Sequence, residues 1–527
     1  MLDILVEYSP HWTEHFTWLL VVAFVFAFFV SYGMGANDSC NDWGPAVGAG
    51  TVKLWQAYLL SGIFNTVGAI LLGYKVTETL RMGIIEFDIF DVYSEYNSTS
   101  GHYTRVGNCT TSNGTLPEGG FTPADLQPGA PPLECARYSA ADFMLSQTGS
   151  MCGVAVFMII ASWYKMPVSA THAIVGASVA TSLYIRGNVG IRWLEILNIV
   201  ISWFISPVIA GIFSGTMYYV VKYTVLMKDD TFKSALRMVP ILMCFTLTVN
   251  LFASIFDGSK YLGLDKLNWW QAFLISVVVG VIGWAVMAFP LKNWLPRRAQ
   301  KLYDHETAKM QRKLEAGKIP KPSKVKDMRD PAADGTYDKT LPWYRYLWVA
   351  VPEPRLTKKV FNALQIVSSS MLSFTHGAND TGNTVGPLLA VWLAHRTGYA
   401  FGNAETRDDS QLLLAYGAGA MIFGFLTLGH RTIKLIAKEI TVDMSPVAGF
   451  CIEVGTAFTV LICVKLGIPV SSTHCTVGAV LFVGLAKSTH EGVSFSTFRR
   501  VVLFWALCFP ISAIVGVGTT MILQQFV

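Results

Sequence analysis

Two short polar phrases, each interrupting an apolar stretch, could carry chemistry in this chain. The sequence Gly-Ala-Asn-Asp occurs at residues 35–38 and again at residues 377–380, and an asparagine, Asn41 or Asn383, follows each copy three residues later. A carboxylate buried in hydrocarbon costs at least about 2.5–3.5 kcal/mol, so two of them at matching places call for a function. Carboxylate and amide oxygens suit small cations. We therefore predict an ion or substrate site at the two phrases.

A proline follows each phrase, Pro45 in the first copy and Pro387 in the second. This pattern predicts a helix that is broken at the phrase, and helices broken at corresponding places in two halves are typical of transporter sites. The N-termini of half-helices attract anions, and freed carbonyl groups attract cations. The alternative is that the glycines only permit close helix packing, while the aspartates bond to neighbouring helices.

A second repeated phrase, Pro-Val-Ser-x-Thr-His, occurs at residues 167–172 and 469–474 and opens an apolar span in each half. The start of a helix presents free backbone N–H groups, and hydroxyl groups add uncharged donors that suit an oxyanion such as phosphate or sulfate. The candidate oxyanion-binding residues are Ser169, Thr171, Ser471 and Thr473. His172 and His474 could titrate or orient these hydroxyls, although a histidine in a first helical turn often only bonds locally.

The composition indicates a polytopic membrane protein. Of the 527 residues, 52% are hydrophobic and 14% are charged, which is too apolar for an ordinary soluble domain. Basic residues are concentrated between Leu291 and Val360, where there are 17 Lys and Arg against 8 Asp and Glu, and this excess predicts a cytosolic segment. The distribution does not indicate a nucleic-acid partner. Residues 1–16 are acidic and carry no Lys or Arg, so we expect the first apolar run to direct insertion.

A turn-rich loop separates the second and third apolar stretches. Residues 86–138 are rich in Gly, Pro, Ser and Thr, and they carry glycosylation sequons at Asn97, Asn108 and Asn113. Three sequons in one loop indicate an external segment. Cys109 and Cys135 lie in the same loop and are the candidates for a disulfide in an oxidising compartment.

The apolar stretches predict about 12 transmembrane helices, at residues 17–31, 57–77, 140–163, 168–184, 194–221, 238–256, 270–290, 360–374, 412–428, 446–464, 470–485 and 501–523. Five crossings after the external loop place the basic stretch in the cytosol, in agreement with its charge. The first broken segment then enters from outside and its counterpart from the cytosol, so the two repeats are inverted and meet near the midplane.

The predicted fold class is an all-α polytopic membrane protein with two inverted repeats and broken helices at a central site. Its predicted parts are a first repeat beginning in 1–85, an external glycosylated loop at 86–138, the rest of the first repeat with connecting helices at 139–290, a flexible basic linker at 291–359, and a second repeat at 360–527.

These phrases resemble the inorganic phosphate transporter family, the sodium-phosphate symporters related to retroviral-receptor transporters. The resemblance rests on residues 35–41, 376–387 and both Pro-Val-Ser phrases, together with Ser-Trp-Phe-Ile-Ser-Pro at 202–207. It implies phosphate uptake across the plasma membrane, driven by sodium or in some members by protons, with both termini outside. It implies no enzymatic activity and no cofactor other than sodium as the coupling ion.

The resemblance also transfers individual residues. Asp38 and Asp380 match the acids that the family needs for transport, and Glu453 matches an acid in the second repeat. Many relatives carry a glutamate early in the second span, where this chain has Asn65. This departure leaves the coupling ion and its stoichiometry open.

Phosphate placed beside two carboxylates would be repelled by about 4 kcal/mol per close pair at an effective dielectric constant of about 20, so a bound cation must lie between them. We therefore predict a phosphate site that comprises the four hydroxyls together with Asp38 and Asp380. The predicted sodium ligands are Asn37, Asp38, Asn41, Asn379, Asp380, Asn383 and Glu453. The expected partners are phosphate, sodium and the lipid bilayer, and a homodimer is a candidate assembly.

Three other functions fit parts of the pattern. The first keeps the fold and changes the coupling ion to a proton or the cargo to sulfate. The second is a membrane phosphotransferase or phosphatase, which needs a nucleophile with an acid or base beside it. The third is a receptor with little flux. The duplicated, symmetric phrases favour a transporter over the enzyme, and binding without accumulation would indicate the receptor.

Overall fold

Long helices make up the membrane part of the protein. The structure, a computed structural model, describes residues 12–86, 92–97, 102–107, 109–110, 134–135, 140–256, 263–316, 350–398, 400, 407–435, 444–487 and 495–527. The helices are α1 Trp12–Asn37, α2 Ser39–Gly48, α3 Leu54–Met82, α4 Ala140–Trp163, α5 Ala170–Arg186, α6 Trp193–Val221, α7 Thr231–Ile255, α8 Trp269–Ala288, α9 Trp294–Glu315, α10 Arg355–Val360, α11 Asn362–Thr397, α12 Arg407–Leu435, α13 Pro446–Lys465, α14 Ser472–Lys487 and α15 Phe495–Leu523.

Shorter elements complete this list. A π-helical turn at Lys222–Leu226 continues α6, and 3₁₀ turns lie at Leu264–Lys266 and Gln524–Phe526. In the loop of residues 86–138, β1 Val92–Asn97 pairs antiparallel with β2 His102–Gly107, and β3 Cys109–Thr110 pairs with β4 Glu134–Cys135. The all-α class therefore describes the membrane part, while the loop adds two small sheets that its composition did not predict. Of the sequons, Asn97 ends β1, and Asn108 and Asn113 lie outside the described residues.

Nine helical stretches among the described residues are long and apolar enough to cross a membrane. Each of the 12 predicted stretches overlaps a helix, but three of these helices are not among the nine. Helices α5 and α14 have only 17 and 16 residues, and α11 has 36 residues but is too polar. The predicted flexible linker is partly helical, since α9 occupies its start, and its residues 317–349 lie outside the described ranges.

Two helical hairpins explain the short helices. Helices α4 and α5 join at a tip that comprises residues 164–169 and the first turn of α5, residues 170–172. Helices α13 and α14 join at a tip that comprises residues 466–471 and the first turn of α14, residues 472–474. Each tip turns through a residue with positive φ, Lys165 (63°) or Gly467 (67°), two positions before the proline of the phrase. The proline favours extended backbone just before it and tolerates the start of a helix, so the repeated phrase ends one helix and starts the next.

The hairpins approach from opposite faces of the bundle, where the upper face is the one at which α1 begins. Helix α4 runs parallel to α1, because Gly33 packs on Met158 and Asn37 bonds to Ser162, so the first hairpin opens at the upper face. Helix α11 is antiparallel to α1, as Trp12 donates to the carbonyl of Ala394. Helix α13 follows α11 upward from the lower face, so the second hairpin opens there.

The expectation of broken helices at the acidic phrases is wrong for the second phrase, and at the first phrase only one residue interrupts the helix. Helix α11 runs without interruption through residues 377–387. Between α1 and α2, only Asp38 lies outside the helical hydrogen-bond pattern. Its φ and ψ of −83° and −38° are nevertheless helical, and its N–H donates to the carbonyl of Met34. The phrases stay helical because their polar side chains find partners on the hairpin tips, and each proline removes only one helical hydrogen bond. The breaks lie in the tips instead.

The glycines of the phrases permit very close helix packing. A Cβ on Gly35 would overlap the carbonyl of Met421 in α12, and one on Gly377 would overlap the carbonyl of Asn65 in α3. The same occurs elsewhere between α1 and α12, where Gly424 lies against the carbonyl of Tyr32. Close packing therefore accounts for these glycines, in agreement with the alternative interpretation of the phrases. It does not account for the amides and carboxylates beside them.

We predict that Gly424→Ala destabilises the protein, because the new methyl group has to push α1 and α12 apart, and overpacking of this kind costs about 1–3 kcal/mol. Gly419→Ala on the same helix is the matched control, since no atom of the described residues lies within 4 Å of its Cβ position. The control gains helix propensity of about 0.5–1 kcal/mol. In thermal unfolding of the purified variants in detergent, the midpoint of Gly424→Ala should be lower than that of Gly419→Ala. Equal midpoints would contradict the prediction.

The backbone register also supports the predicted disulfide, because Cys109 is paired directly opposite Cys135. Directly opposed residues of antiparallel strands have Cα atoms about 4.5–5.5 Å apart, within the range of a disulfide. We predict that proteolysis without reductant yields a peptide containing both cysteines, which separates on reduction. Recovery of both as free thiols by mass spectrometry would refute the pairing, and buried Cys451, a free cysteine, serves as the reference thiol.

Candidate functional site

The acidic phrases of α1–α2 and α11 lie against the two hairpin tips, deep inside the bundle. Asp38 and Asp380 are each only 1% exposed, and Ser169 and Thr473 are equally buried. The two tips contact each other, because Thr171 Oγ1 donates to the carbonyl of Val470 at 3.2 Å. The structure thus brings the two pairs of repeated phrases into one region and shows it closed to solvent.

Asp38 is bound by the tip that the second half contributes. Thr473 Oγ1 donates to Asp38 Oδ1 at 3.1 Å, and Asn41 Nδ2 donates to the same threonine oxygen at 2.9 Å. Asp38 and Asn41 belong to the first half, more than 400 residues away along the chain. This hydroxyl therefore connects the two halves at the carboxylate.

Asp380 is bound by the same tip. Ser472 Oγ lies 3.1 Å from both carboxylate oxygens, and Asn379 Nδ2 donates to Asp380 Oδ1 at 2.7 Å and to the carbonyl of Val470 at 3.0 Å. Ser472 was not among the predicted site residues. The sequence could have indicated Ser472, because it lies inside the repeated phrase, at the position where the first half has Ala170.

Asn37 is engaged with the first tip. Its Nδ2 donates to the carbonyl of Met166 at 2.8 Å and to Ser162 Oγ at 3.2 Å, and its Oδ1 accepts from the N–H of Val168 at 2.9 Å. One amide side chain thus satisfies both a donor and an acceptor of the turn. In this conformation Asn37 positions the tip.

The serines of the Pro-Val-Ser phrases cap the inner helices of the hairpins. Ser169 Oγ accepts from the N–H of His172, and Ser471 Oγ accepts from the N–H of His474, both at 3.2 Å. This is ordinary N-capping. It engages the acceptor side of each hydroxyl, so its hydrogen can still be donated to a ligand.

Several polar atoms beside Asp380 lack partners. Within the described part of the chain, Asn379 Oδ1 and both amide atoms of Asn383 are buried without a hydrogen bond. Pro45 and Pro387 lie four residues after Asn41 and Asn383, so neither can donate to the carbonyl of that asparagine. Buried polar groups are normally satisfied, and oxygens of this kind are what a small hard cation takes as ligands.

Glu453 lies apart from this group. It accepts from Gln365 Nε2 at 3.1 Å and from Ser368 Oγ at 2.5 Å. Ser368 precedes Asp380 by twelve residues on α11, which is about 18 Å along a helix axis. The structure therefore places Glu453 in a second polar cluster, toward the lower face.

An unpredicted buried pair lies between these clusters. Asp42 and His376 are both 0% exposed and form an ion-pair contact through Oδ1 and Nδ1. Ser373 Oγ donates to Asp42 Oδ2 at 2.8 Å and accepts from Trp43 Nε1 at 2.7 Å. Both residues adjoin the repeated phrases, but the pairing spans 334 positions along the chain, which no local pattern predicts.

The two histidines of the tips form a symmetric aromatic cluster. His172 packs against Trp203 and His474 against Trp505, each pair with ring centroids 3.7 Å apart and tilted ring planes, and the two imidazoles contact each other at 4.3 Å. The contact between the imidazoles joins the two tips. This favours the local, structural interpretation of these histidines.

We predict that Asn37→Ala loosens the first tip, because it leaves the N–H of Val168 and the carbonyl of Met166 unpaired, at about 1–3 kcal/mol for each unsatisfied group. Hydrogen exchange of the peptide that spans residues 164–170 should become faster. The control is Asn250→Ala, since Asn250 is equally buried but bonds within its own helix, to the carbonyl of Thr246. Unchanged exchange in Asn37→Ala would show that the tip holds its shape without this amide.

Known proteins resemble this chain in fold and in sequence. A solved structure described as a sodium-dependent phosphate transporter superposes on this fold with a TM-score of 0.71 at 22% identity, covering 97% of this chain and all of the other. Among curated proteins, the chain is 27% identical to sodium-dependent phosphate transporter 1-A of Danio rerio, over 95% of this chain and 94% of the relative. It is 26% identical to sodium-dependent phosphate transporter 2 of Xenopus tropicalis, over 99% of each.

A family model covers both acidic phrases and both hairpin tips. The model of the phosphate transporter family matches residues 34–105 and 127–516, which is most of the chain. The resemblance read from the repeated phrases is thereby confirmed. The chain belongs to the phosphate transporter family.

Proposed function

We propose that the protein is a secondary transporter that takes up inorganic phosphate by symport with sodium. The observation that carries this proposal is the pair of buried carboxylates, Asp38 and Asp380, bound by hydroxyls of one hairpin tip. Sodium dependence is named in the relatives, and phosphate is the cargo of the family.

Cations are needed to bring phosphate to this place. Two carboxylates already lie at the tips, and an added dianion would be repelled by each of them. In the proposal, sodium binds Asp380 with the amide oxygens of Asn379 and Asn383, whose partners are missing in the described structure. A second sodium binds Asp38 with Asn41, while Asn37 positions the adjoining tip.

The hydroxyls of the tips then bind phosphate. Ser169, Thr171, Ser471 and Thr473 all lie on the two tips. Thr473 donates to Asp38 in the closed structure, and a sodium ion on this carboxylate would release the hydroxyl for phosphate. Cation and phosphate thus favour each other's binding, which is the reciprocal coupling that symport requires.

Alternating access follows from the two hairpins in this proposal. They open at opposite faces and meet at the site, as expected for inverted repeats around a midplane site. Withdrawal of one tip would open the site to one side only. Glu453 belongs to the lower polar cluster, where we propose that it binds sodium on the route between the site and the lower face.

The proposed setting is the plasma membrane, with both termini and the loop of residues 86–138 outside. The loop would carry the three glycans and the disulfide, and the basic linker would lie in the cytosol. A homodimer is the proposed assembly to test. The membrane spans and the family already make this a multi-pass membrane protein.

Uptake of radiolabelled phosphate into proteoliposomes tests the function. We expect accumulation when a sodium gradient is imposed. Accumulation driven only by a proton gradient would reassign Asp38 and Asp380 as proton carriers, which the departure at Asn65 makes a specific alternative. Unlabelled sulfate that competes as well as phosphate would change the cargo instead.

We predict that Asp38→Asn abolishes sodium-coupled uptake, because the neutral amide can still accept from Thr473 but no longer neutralises a cation. Uptake should fall by about 100-fold or more, since the loss of one buried charge partner costs about 3–5 kcal/mol. Glu195→Gln, an exposed acid in the first turn of α6, is the control and should transport normally. Full sodium-dependent uptake by Asp38→Asn would remove Asp38 from the sodium site.

A further inference from the structure

We infer that Asp42 is a positioning residue that holds the imidazole of His376 away from Asp38 and Asp380, and so keeps these two carboxylates available to the coupling cation. The inference rests on the proposed sodium symport and adds a residue to it. Asp42 is no part of the predicted site, although it directly follows the predicted ligand Asn41 in α2.

The geometry places His376 between three acids. Asp42 follows Asp38 by four residues in α2, and His376 precedes Asp380 by four residues in α11. One helical turn therefore separates the members of each pair. The two helices cross so that Asp42 contacts His376 directly, while Asp38 and Asp380 are the next carboxylates that interact with the imidazole.

The carboxylate of Asp42 is itself held in place. Ser373 donates to its Oδ2 at 2.8 Å, and the amide of Asn65 on α3 lies near enough to interact with it. Asn65 Nδ2 also donates to Ser61 at 2.8 Å. The orientation of Asp42 thus depends on residues of α3 and α11, and its Oδ1 is left to face the imidazole.

Without the charge of Asp42, the nearest carboxylates that interact with the imidazole would be Asp380 and Asp38. An amide oxygen at position 42 could still accept a hydrogen bond, but a charged acceptor forms one about twice as strong, so the imidazole N–H would turn toward Asp38 or Asp380. An N–H bond to either carboxylate would take up oxygens that the coupling cation uses. Sodium would then have to displace the imidazole before it could bind.

An acidic residue on α3 should be able to replace Asp42 of α2 as the partner of His376. Asn65 carries an amide where the family resemblance leads us to expect a glutamate, and this amide lies near enough to interact with Asp42. A glutamate at position 65 would bring its carboxylate to the same space from α3. In this interpretation, the acidic partner of His376 comes from α2 in this chain, whereas a glutamate at position 65 would provide it from α3.

The test is the sodium dependence of phosphate uptake in proteoliposomes by the wild type, Asp42→Asn, and Asp42→Asn with Asn65→Glu. We expect Asp42→Asn to raise the half-activating sodium concentration by about fivefold or more, in the range of ordinary coupling between sites. The phosphate KM at saturating sodium should change by less than about twofold, because saturating sodium displaces the imidazole. The double variant should return to the sodium dependence of the wild type.

Asp142→Asn is the matched control, because Asp142 is a buried acid at the start of α4, remote from His376. It should leave sodium activation unchanged. If Asp42→Asn does not reach the membrane, Ser373→Ala is measured instead, since it loosens Asp42 without removing a charge. We expect a smaller rise in half-activating sodium from Ser373→Ala.

The outcomes separate the inference from the function on which it rests. A wild type without sodium-driven uptake contradicts the proposed function. Normal wild-type uptake with unchanged sodium activation in Asp42→Asn, or in Ser373→Ala where that variant replaces it, overturns the inference alone. A double variant that stays as impaired as Asp42→Asn also overturns it, because the role would then belong to the position of Asp42 and not to a carboxylate beside His376.

Discussion

Two carboxylates buried among helices determine the arrangement around them. An unpaired acid at this depth is unstable, so each is bound by hydroxyl groups, Asp38 by Thr473 and Asp380 by Ser472. Both hydroxyls come from the second hairpin tip, which has to end its helix at this depth to present them. The tip in turn rests on the first tip through Thr171. The need to satisfy two charges thus explains why both hairpins stop inside the bundle and meet there.

The remaining helices form a more rigid body than the tips do. Glycines let α1 pack on α12 and α3 pack on α11 with backbone against backbone, and such dense packing deforms little. The tips are joined to the phrases by individual hydrogen bonds, each worth about 0.5–1.5 kcal/mol net. In the proposed function, sodium and phosphate would replace bonds of this size. The structure therefore consists of a rigid frame and two tips, and ligands would compete with the hydrogen bonds that join the tips to the frame.

Each apolar stretch predicted from the sequence overlaps a helix, and the repeated phrases identified Asp38, Asp380 and Thr473, which meet in the structure. The sequence predictions missed Ser472 and helix α9. The sequence did not show that α11 is continuous, because Gly, Asn, Asp and Pro favour a break unless tertiary contacts satisfy them, as Val470 does for Asn379. Hairpins also look like pairs of crossings in a hydropathy pattern. The contact between Asp42 and His376 was missed because it joins distant segments and involves a residue that only one phrase carries.

Helix α11 has a consequence for biogenesis. It is 36 residues long, yet its polar side chains exclude it from the nine described stretches that are apolar enough to cross a membrane. Apolar residues favour translocon-mediated insertion by only about 0.3–0.6 kcal/mol each, whereas an aspartate opposes it by about 2.5–3.5 kcal/mol. Helix α11 should therefore leave the translocon together with a partner. Its most extensive packing is on α3, which is synthesised some 300 residues earlier, so we expect α11 to insert against the first half.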